Sequence, residues 1–195
     1  MKKINVLFGL VFISFFGLTN VQAENVRFGA EGGLTFADMR AEETAQAIAN
    51  ASGSTVTYTY DEATWVGRLF VDYPLGTEAS LEVGYFFTGS LDATYTISGA
   101  SATEAYNARG VDVSAVFRSD GVFFKAGMHS SEMDGEATIT ISGTKYNVSD
   151  TISGSGYLVG GGFEEDDQRI GITYYADVGG DGDSDMTMLY YGVLF

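Results

Sequence analysis

Eight stretches of this chain alternate bulky apolar side chains with small or polar ones at a period of two, each over about 9–11 residues, the length of a tilted membrane strand. In the first, Val26, Phe28, Ala30, Leu34 and Phe36 alternate with Arg27, Gly29, Glu31, Gly33 and Thr35. Trp65, Gly67, Leu69, Val71 and Tyr73 are set against Thr64, Arg68, Phe70 and Asp72, and Leu81, Val83, Tyr85 and Phe87 against Ser80, Glu82, Gly84 and Thr88. Val111, Val113, Ala115 and Phe117 oppose Asp112, Ser114 and Arg118, while Val122, Phe124, Ala126 and Met128 oppose Phe123, Lys125, Gly127 and His129. Tyr157, Val159, Gly161 and Phe163 alternate with Leu158, Gly160, Gly162 and Glu164, and Ile170, Ile172, Tyr174 and Ala176 with Arg169, Gly171, Thr173, Tyr175 and Asp177. The eighth stretch, 186–195, carries Leu189, Tyr191, Val193 and Phe195 on one face as an apolar ladder.

The connections alternate too. Tight turns are expected at Pro74 to Glu78, Arg118 to Gly121 and Glu165 to Gln168, and long polar connections at about 37–63, 90–109, 130–156 and 178–185. An even strand count with short turns at one end and long loops at the other predicts an all-β fold, an eight-stranded antiparallel up-and-down transmembrane β-barrel. Loops two and three keep some alternation, as in Ala137-Thr138-Ile139-Thr140-Ile141, so their hairpins are expected to continue beyond the bilayer. Loop one has helix formers from Ala41 to Ala51 behind Asp38, a candidate N-cap.

The first 23 residues read as a secretory leader, with Lys2 and Lys3, an apolar run from Ile4 to Leu18, and Val21-Gln22-Ala23 at the cleavage site. Residues 24–195 are then one barrel domain. Beyond the leader no apolar run reaches the length of a spanning helix, so a membrane crossing has to be made of strands. No Cys is present, which excludes a disulfide framework. With the leader removed, 8 of the 10 Lys and Arg face all 26 Asp and Glu, which excludes nucleic acid as a partner.

Alternation does not say which face is wet, because a lipocalin-like soluble barrel has the same period with the faces exchanged. The charges decide. The polar face carries Arg27, Arg68, Arg118, Lys125 and Arg169 against Glu31, Asp72, Glu82, Asp112, Glu164 and Asp177. This near-balance, in a chain otherwise strongly acidic, is what a secluded face requires, since buried charge is tolerated only when paired. The polar face is read as the lumen, with His129 joined to its charge network. Gly33, Gly84, Gly127, Gly160, Gly162, Gly171 and Gly192 fall on the same face, leaving room for large neighbours. Trp65, Tyr73, Tyr85, Tyr174, Tyr191 and Phe195 fall on the other, as aromatic girdles.

These features together resemble the OmpA-like and OmpX-like small outer-membrane barrels, over the whole of residues 24–195. The terminal Tyr191-x-Val193-x-Phe195 is similar to the signal by which the barrel-assembly machinery recognises its clients. The resemblance implies a Gram-negative outer membrane, contact with lipid and lipopolysaccharide, periplasmic termini, external long loops and a monomer. The chain departs from OmpA in ending at the barrel, with no peptidoglycan-binding domain after it.

Other candidates are weighed on their residues. His129 with Ser131 is faintly similar to the pair of the PagL-type lipid A deacylases, but parity places His129 in the lumen, and Glu132 stands where that family has Asn. A PagP-like acyltransferase needs a hydrocarbon pocket, which a lumen of this charge does not supply. Asp181, Asp183 and Asp185 at alternate positions have the oxygen chemistry of a Ca²⁺ site, with Asp177 as a further ligand, although Met186 stands where an EF-hand needs Gly and the later Glu is lacking. The alternative is a solvated hairpin tip. No other cofactor is indicated, and the Gly160-Gly161-Gly162 run opens no helix that would cradle phosphate. The loops form an anionic crown. The expected function is therefore a non-enzymatic outer-membrane barrel acting in surface contact or envelope integrity; the alternatives are a narrow ion pore through a rearranging lumen network and, less favoured, a lipid A-modifying enzyme.

Overall fold

The computed structural model describes residues 26–37, 40–180, 182 and 184–195; the expected leader, Asp38, Asp181 and Asp183 lie outside them. The elements run β1 (Arg27–Ala37), α1 (Ala41–Ser52), β2 (Thr57–Tyr60), β3 (Ala63–Pro74), β4 (Ala79–Thr88), β5 (Leu91–Ile97), β6 (Ala100–Ser119), β7 (Val122–Ile141), β8 (Thr144–Glu165), β9 (Gln168–Tyr175) and β10 (Met186–Leu194). Eight of these strands close a ring in the order β1, β3, β4, β6, β7, β8, β9, β10 and back to β1, antiparallel throughout. Closure leaves the cylinder no unpaired edge. Phe195 completes it: its N–H donates to the Phe28 carbonyl at 2.8 Å, and the Phe28 N–H donates to its carbonyl at 2.9 Å.

At the end where β1 begins and β10 finishes the turns are tight. Asp120 and Gly121 both have positive φ, 50° and 77°, the backbone of a two-residue hairpin turn that glycine and aspartate adopt at low cost. At the opposite end β6, β7 and β8 run to 20, 20 and 22 residues, about twice what a bilayer needs. Loops two and three are therefore largely strand. Their backbone groups find partners by continuing the ladder, which removes the cost of leaving them unmade. Beyond the cylinder β5 adds to β6, and β2 to β5, so a five-stranded sheet β2-β5-β6-β7-β8 stands above the mouth.

The helix expected in loop one spans Ala41–Ser52 and ends on Gly53, in the left-handed region, whose N–H donates to the Ala49 carbonyl at 2.9 Å. Its N-cap position is Arg40, not Asp38. Ala41 and Ala45 bury themselves against Ala93 and Tyr95, with Ile48, Val56 and Ala102 alongside. Small side chains let the helix lie close to the sheet.

Side chains on the cylinder segregate as the alternation requires. Phe28, Trp65, Leu69, Phe117, Phe124, Phe163, Ile172 and Leu189 are exposed on the outside. Arg68, Asp72, Glu82, Asp112, Lys125 and Arg169 are buried on the inside. An apolar exterior around a charged interior is the arrangement hydrocarbon demands. No helix among the described residues is long and apolar enough to cross a membrane.

Candidate functional site

The lumen is stacked in layers because each strand delivers an inward side chain every second residue. In the central layer Arg68 is the hub. Its Nε and Nη2 donate to both Asp112 carboxylate oxygens, at 2.8 and 2.7 Å, and its Nη1 donates to Glu31 at 3.2 Å and Glu82 at 3.1 Å. Arg169 enters from the other side and donates to Glu82 Oε1 at 2.6 Å and to Glu31. Both guanidinium groups lie over the ring of Phe70, centroids 4.8 and 4.1 Å away. A planar fork that pairs bidentately and stacks on an aromatic face is what arginine supplies and lysine does not.

Space for this hub comes from glycine. A Cβ added at Gly84 would lie 2.5–2.7 Å from the Arg68 guanidinium, and one at Gly192 would lie 2.9 Å from Glu31 Cγ and 3.2 Å from Arg169 Cγ. Glu31 and Arg68 are register partners on β1 and β3, and Gly192 stands opposite both Glu31 and Arg169. Lys125 is different. Its Nζ is buried with no hydrogen bond, 3.8 Å from Glu31 Oε1 and 4.9 Å from the Tyr190 ring centroid.

Toward the tight-turn end, Arg118 bridges Glu164 at 2.9 Å and Asp72 at 3.3 Å and donates to Ser80 Oγ at 2.5 Å, while Arg27 pairs with Asp72 at 2.6 Å. Toward the long-loop end the lumen turns apolar. Val66, Phe86, Leu158, Tyr175 and Met188 are buried in one cluster across it. Phe70 and Phe123 were read on the inward parity with the charges, and Phe86, unnamed in that reading, shares the parity of Gly84 and Thr88, which places it inside with them. Above the apolar layer an open cavity of about 360 Å³ is lined by residues including Thr35, Thr44, Tyr106, Asn107, Met133 and Met186.

Two residues assigned to the network stand apart from it. His129 is buried, but its Nε2 donates to the Ala176 carbonyl at 2.7 Å and its ring packs edge-on to Phe86 and Tyr175. Asp177 lies past the end of β9 with φ +58°, where parity no longer applies, and its Oδ1 accepts the Gly182 N–H at 2.6 Å. Without Asp177 the lumen holds Arg27, Arg68, Arg118, Lys125 and Arg169 against Glu31, Asp72, Glu82, Asp112 and Glu164, so formal charge balances.

Of the loop-four aspartates, Asp185 accepts a hydrogen bond from Tyr174 Oη at 2.5 Å and another from the Asp177 N–H at 3.1 Å. Among the described residues no group of three acidic or histidine side chains is assembled around a metal position. Ser131 Oγ accepts the Gly179 N–H at 3.0 Å, so this hydroxyl and His129 are both bonded to loop four, away from lipid.

No protein-family model matches the chain, and no curated protein sequence matches it. Solved structures do. Ail, the attachment invasion locus protein of Yersinia pestis, superposes with a TM-score of 0.53 at 13% identity, covering 88% of this chain and 99% of that one, in a crystal with the heparin analogue sucrose octasulfate. A second Ail structure gives 0.51 at 15% identity, over 87% and 98% of the two chains. The fold is that of the small eight-stranded outer-membrane β-barrels. Neisserial surface protein A matches more loosely, with a TM-score of 0.41 at 14% identity over 87% of this chain and 95% of that one. In such a barrel the exposed aromatic and aliphatic belt faces lipid.

The sheet above the mouth carries its own ion cluster. Arg109 on β6 pairs with Glu132 at 3.1 Å and Asp134 at 3.4 Å on β7, with about half of each partner's side chain, Arg109 and Glu132, in solvent. The Glu132 hydrogen bond is the main cause that raises Arg109 further above its ordinary value. Nearby, burial and the charge of Glu104 push the Tyr106 phenol up to about 12.

Proposed function

We propose that this barrel is non-enzymatic, conducts no ions through its lumen, and acts through its extracellular sheet and loops in surface contact or envelope integrity. The observation that carries this reading is the occupancy of Arg68, whose fork is engaged by Asp112, Glu31 and Glu82 in a layer 0% exposed at every one of these side chains. An ion passing through would have to separate these pairs without water to replace them, and an uncompensated buried charge costs several kcal/mol. The apolar layer of Phe86, Leu158 and Met188 above adds a dewetted barrier.

The outward surface supports the second half of the proposal. Exposed acids predominate on the loops, so lipopolysaccharide phosphates would be met through divalent cations rather than through basic side chains. The polysulfated ligand that Ail carries is the wrong charge for this surface. Leu189, Tyr191, Val193 and Phe195 would serve as the assembly signal, and a ring closed on itself needs no second subunit, which favours a monomer.

Planar-bilayer recording tests the reading. The purified protein is expected to give no resolvable current, and a steady unitary conductance would replace it with the pore. Lipid A from expressing cells is expected to keep its mass; loss of an acyl chain would establish the enzyme.

A further inference from the structure

The inner face of the extracellular sheet, the one turned over the barrel mouth, is apolar and only partly covered. Register aligns Tyr95, Ala102, Ile139 and Tyr146 in one row across β5, β6, β7 and β8, and Ala93, Glu104, Ala137 and Val148 in the next, so these side chains share a face. Helix α1 covers the β5–β6 part, seating Ala41 and Ala45 on Ala93 and Tyr95. Loop four covers the base, where Gly179 approaches Met133 and Ile152. The β7–β8 part beyond them is open: Ile141 is 51%, Tyr146 55% and Val148 59% exposed.

Along these strands the other face carries Thr138, Thr140, Lys145 and Asn147, so the alternation sets a half-buried sheet with nothing on its apolar side. Lipid does not explain it, because these residues lie beyond the membrane strands and on the lumen parity. An exposed apolar patch of this kind marks an interaction site.

The charges around the patch select the partner. Glu104 stands next to Ala137 on the inner face, and Asp150 stands opposite Gly135 one row below. Helix α1 beside the patch carries Glu42 and Glu43 in its first turn and Arg40 at its N-cap, with no Lys or Arg from Ala41 to Ser52. Lys145, opposite Thr140, is on the other side of the sheet. An apolar floor with Glu104 and Asp150 on its own face is complementary to an amphipathic segment with cations flanking its apolar stripe. Helix α1 shows how such a segment seats, through small and branched side chains laid on the same sheet.

We propose that the open inner face of the β7–β8 hairpin, floored by Ile139, Ile141, Tyr146 and Val148, docks a cationic amphipathic helix from another molecule. This rests on the reading of the extracellular sheet as the contact surface. It adds the partner's chemistry.

The test uses the full barrel in zwitterionic nanodiscs and a fluorescent Leu/Lys amphipathic helical peptide, with empty nanodiscs subtracted. Saturable binding is expected, with amide protection gained over 137–148, and the Leu/Glu counterpart peptide should not bind. The Ile139→Ser, Val148→Ser double variant should bind at least tenfold more weakly, and Glu104→Gln with Asp150→Asn should weaken binding several-fold and flatten its salt dependence. The proposal falls if neither peptide binds, if both bind alike, or if protection appears elsewhere. It also falls if protection of 137–148 appears without peptide, through self-association or attachment to zwitterionic vesicles. Absence of binding in a barrel that also carries no current would remove this inference alone, whereas a conducting barrel would remove the function proposed above.

Discussion

On β6 two charged residues three positions apart live in opposite media. Asp112 is buried in the lumen and holds Arg68 by two hydrogen bonds, whereas Arg109 stands in the sheet above the mouth and holds Glu132 and Asp134 in solvent. Distances around the Arg68 hub, 2.7 to 3.2 Å, overlap the 3.1 and 3.4 Å at Arg109, yet the consequences differ. In water the ions of the outer cluster are stabilised almost as well apart as together, so the pair adds little. In the lumen no water replaces a lost partner, and each ion depends on the others. Geometry alone therefore does not rank ion pairs; the medium does.

The sharpest way to break this comparison is truncation. Arg68→Ala leaves Asp112, Glu31 and Glu82 confronting one another, and is expected to cost about 3–5 kcal/mol, measured by urea unfolding in lipid vesicles. If Arg68→Ala and Arg109→Ala were equally costly, the lumen would have to be wet. Gly84→Ala probes the same hub without touching a charge. Its methyl would press on the Arg68 guanidinium, and the expected loss is about 1–3 kcal/mol, the usual effect of overpacking.

Arg109→Ala should cost far less than Arg68→Ala, and what difference it makes should vanish in molar salt. The smallest effect concerns Tyr106. Its folded pKa of about 12 lies above the ordinary tyrosine value, so folding favours the neutral phenol. That contribution is complete at neutral pH and is lost as the pH rises through the folded value. The Tyr106→Phe difference spectrum should place its ionisation above that of the exposed tyrosines, and Glu104→Gln should bring it down. An unshifted midpoint in that variant would leave burial as the sole cause.

Much of the cylinder was legible in the chain. Eight alternating stretches gave the strands, and the balance of Arg and Lys against acids on one parity distinguished lumen from exterior, because a strand's side chains have only two faces to choose from. Where the ladder stops, that reasoning stops. Asp177 was counted as a lumen acid because its parity matched, but β9 ends at Tyr175 and a left-handed residue follows. His129 was placed correctly inside and given the wrong partner, since nothing local to β7 foretells that the Ala176 carbonyl will meet it. Strand β2 went unread because four residues carry little periodic signal, whereas β5 lies in the loop-two hairpin that the alternation extended beyond the bilayer.

By itself, then, the sequence determined which residues face hydrocarbon and which face inward, since a period of two is a local property of extended backbone. Tertiary structure decided the rest: that Arg68 takes Asp112 bidentately while Lys125 is left without a hydrogen bond, that aromatic rings roof the ions, and that one face of the sheet above the mouth stays open. These depend on strand register around a closed ring and on neighbours far apart in the chain, which no periodicity encodes.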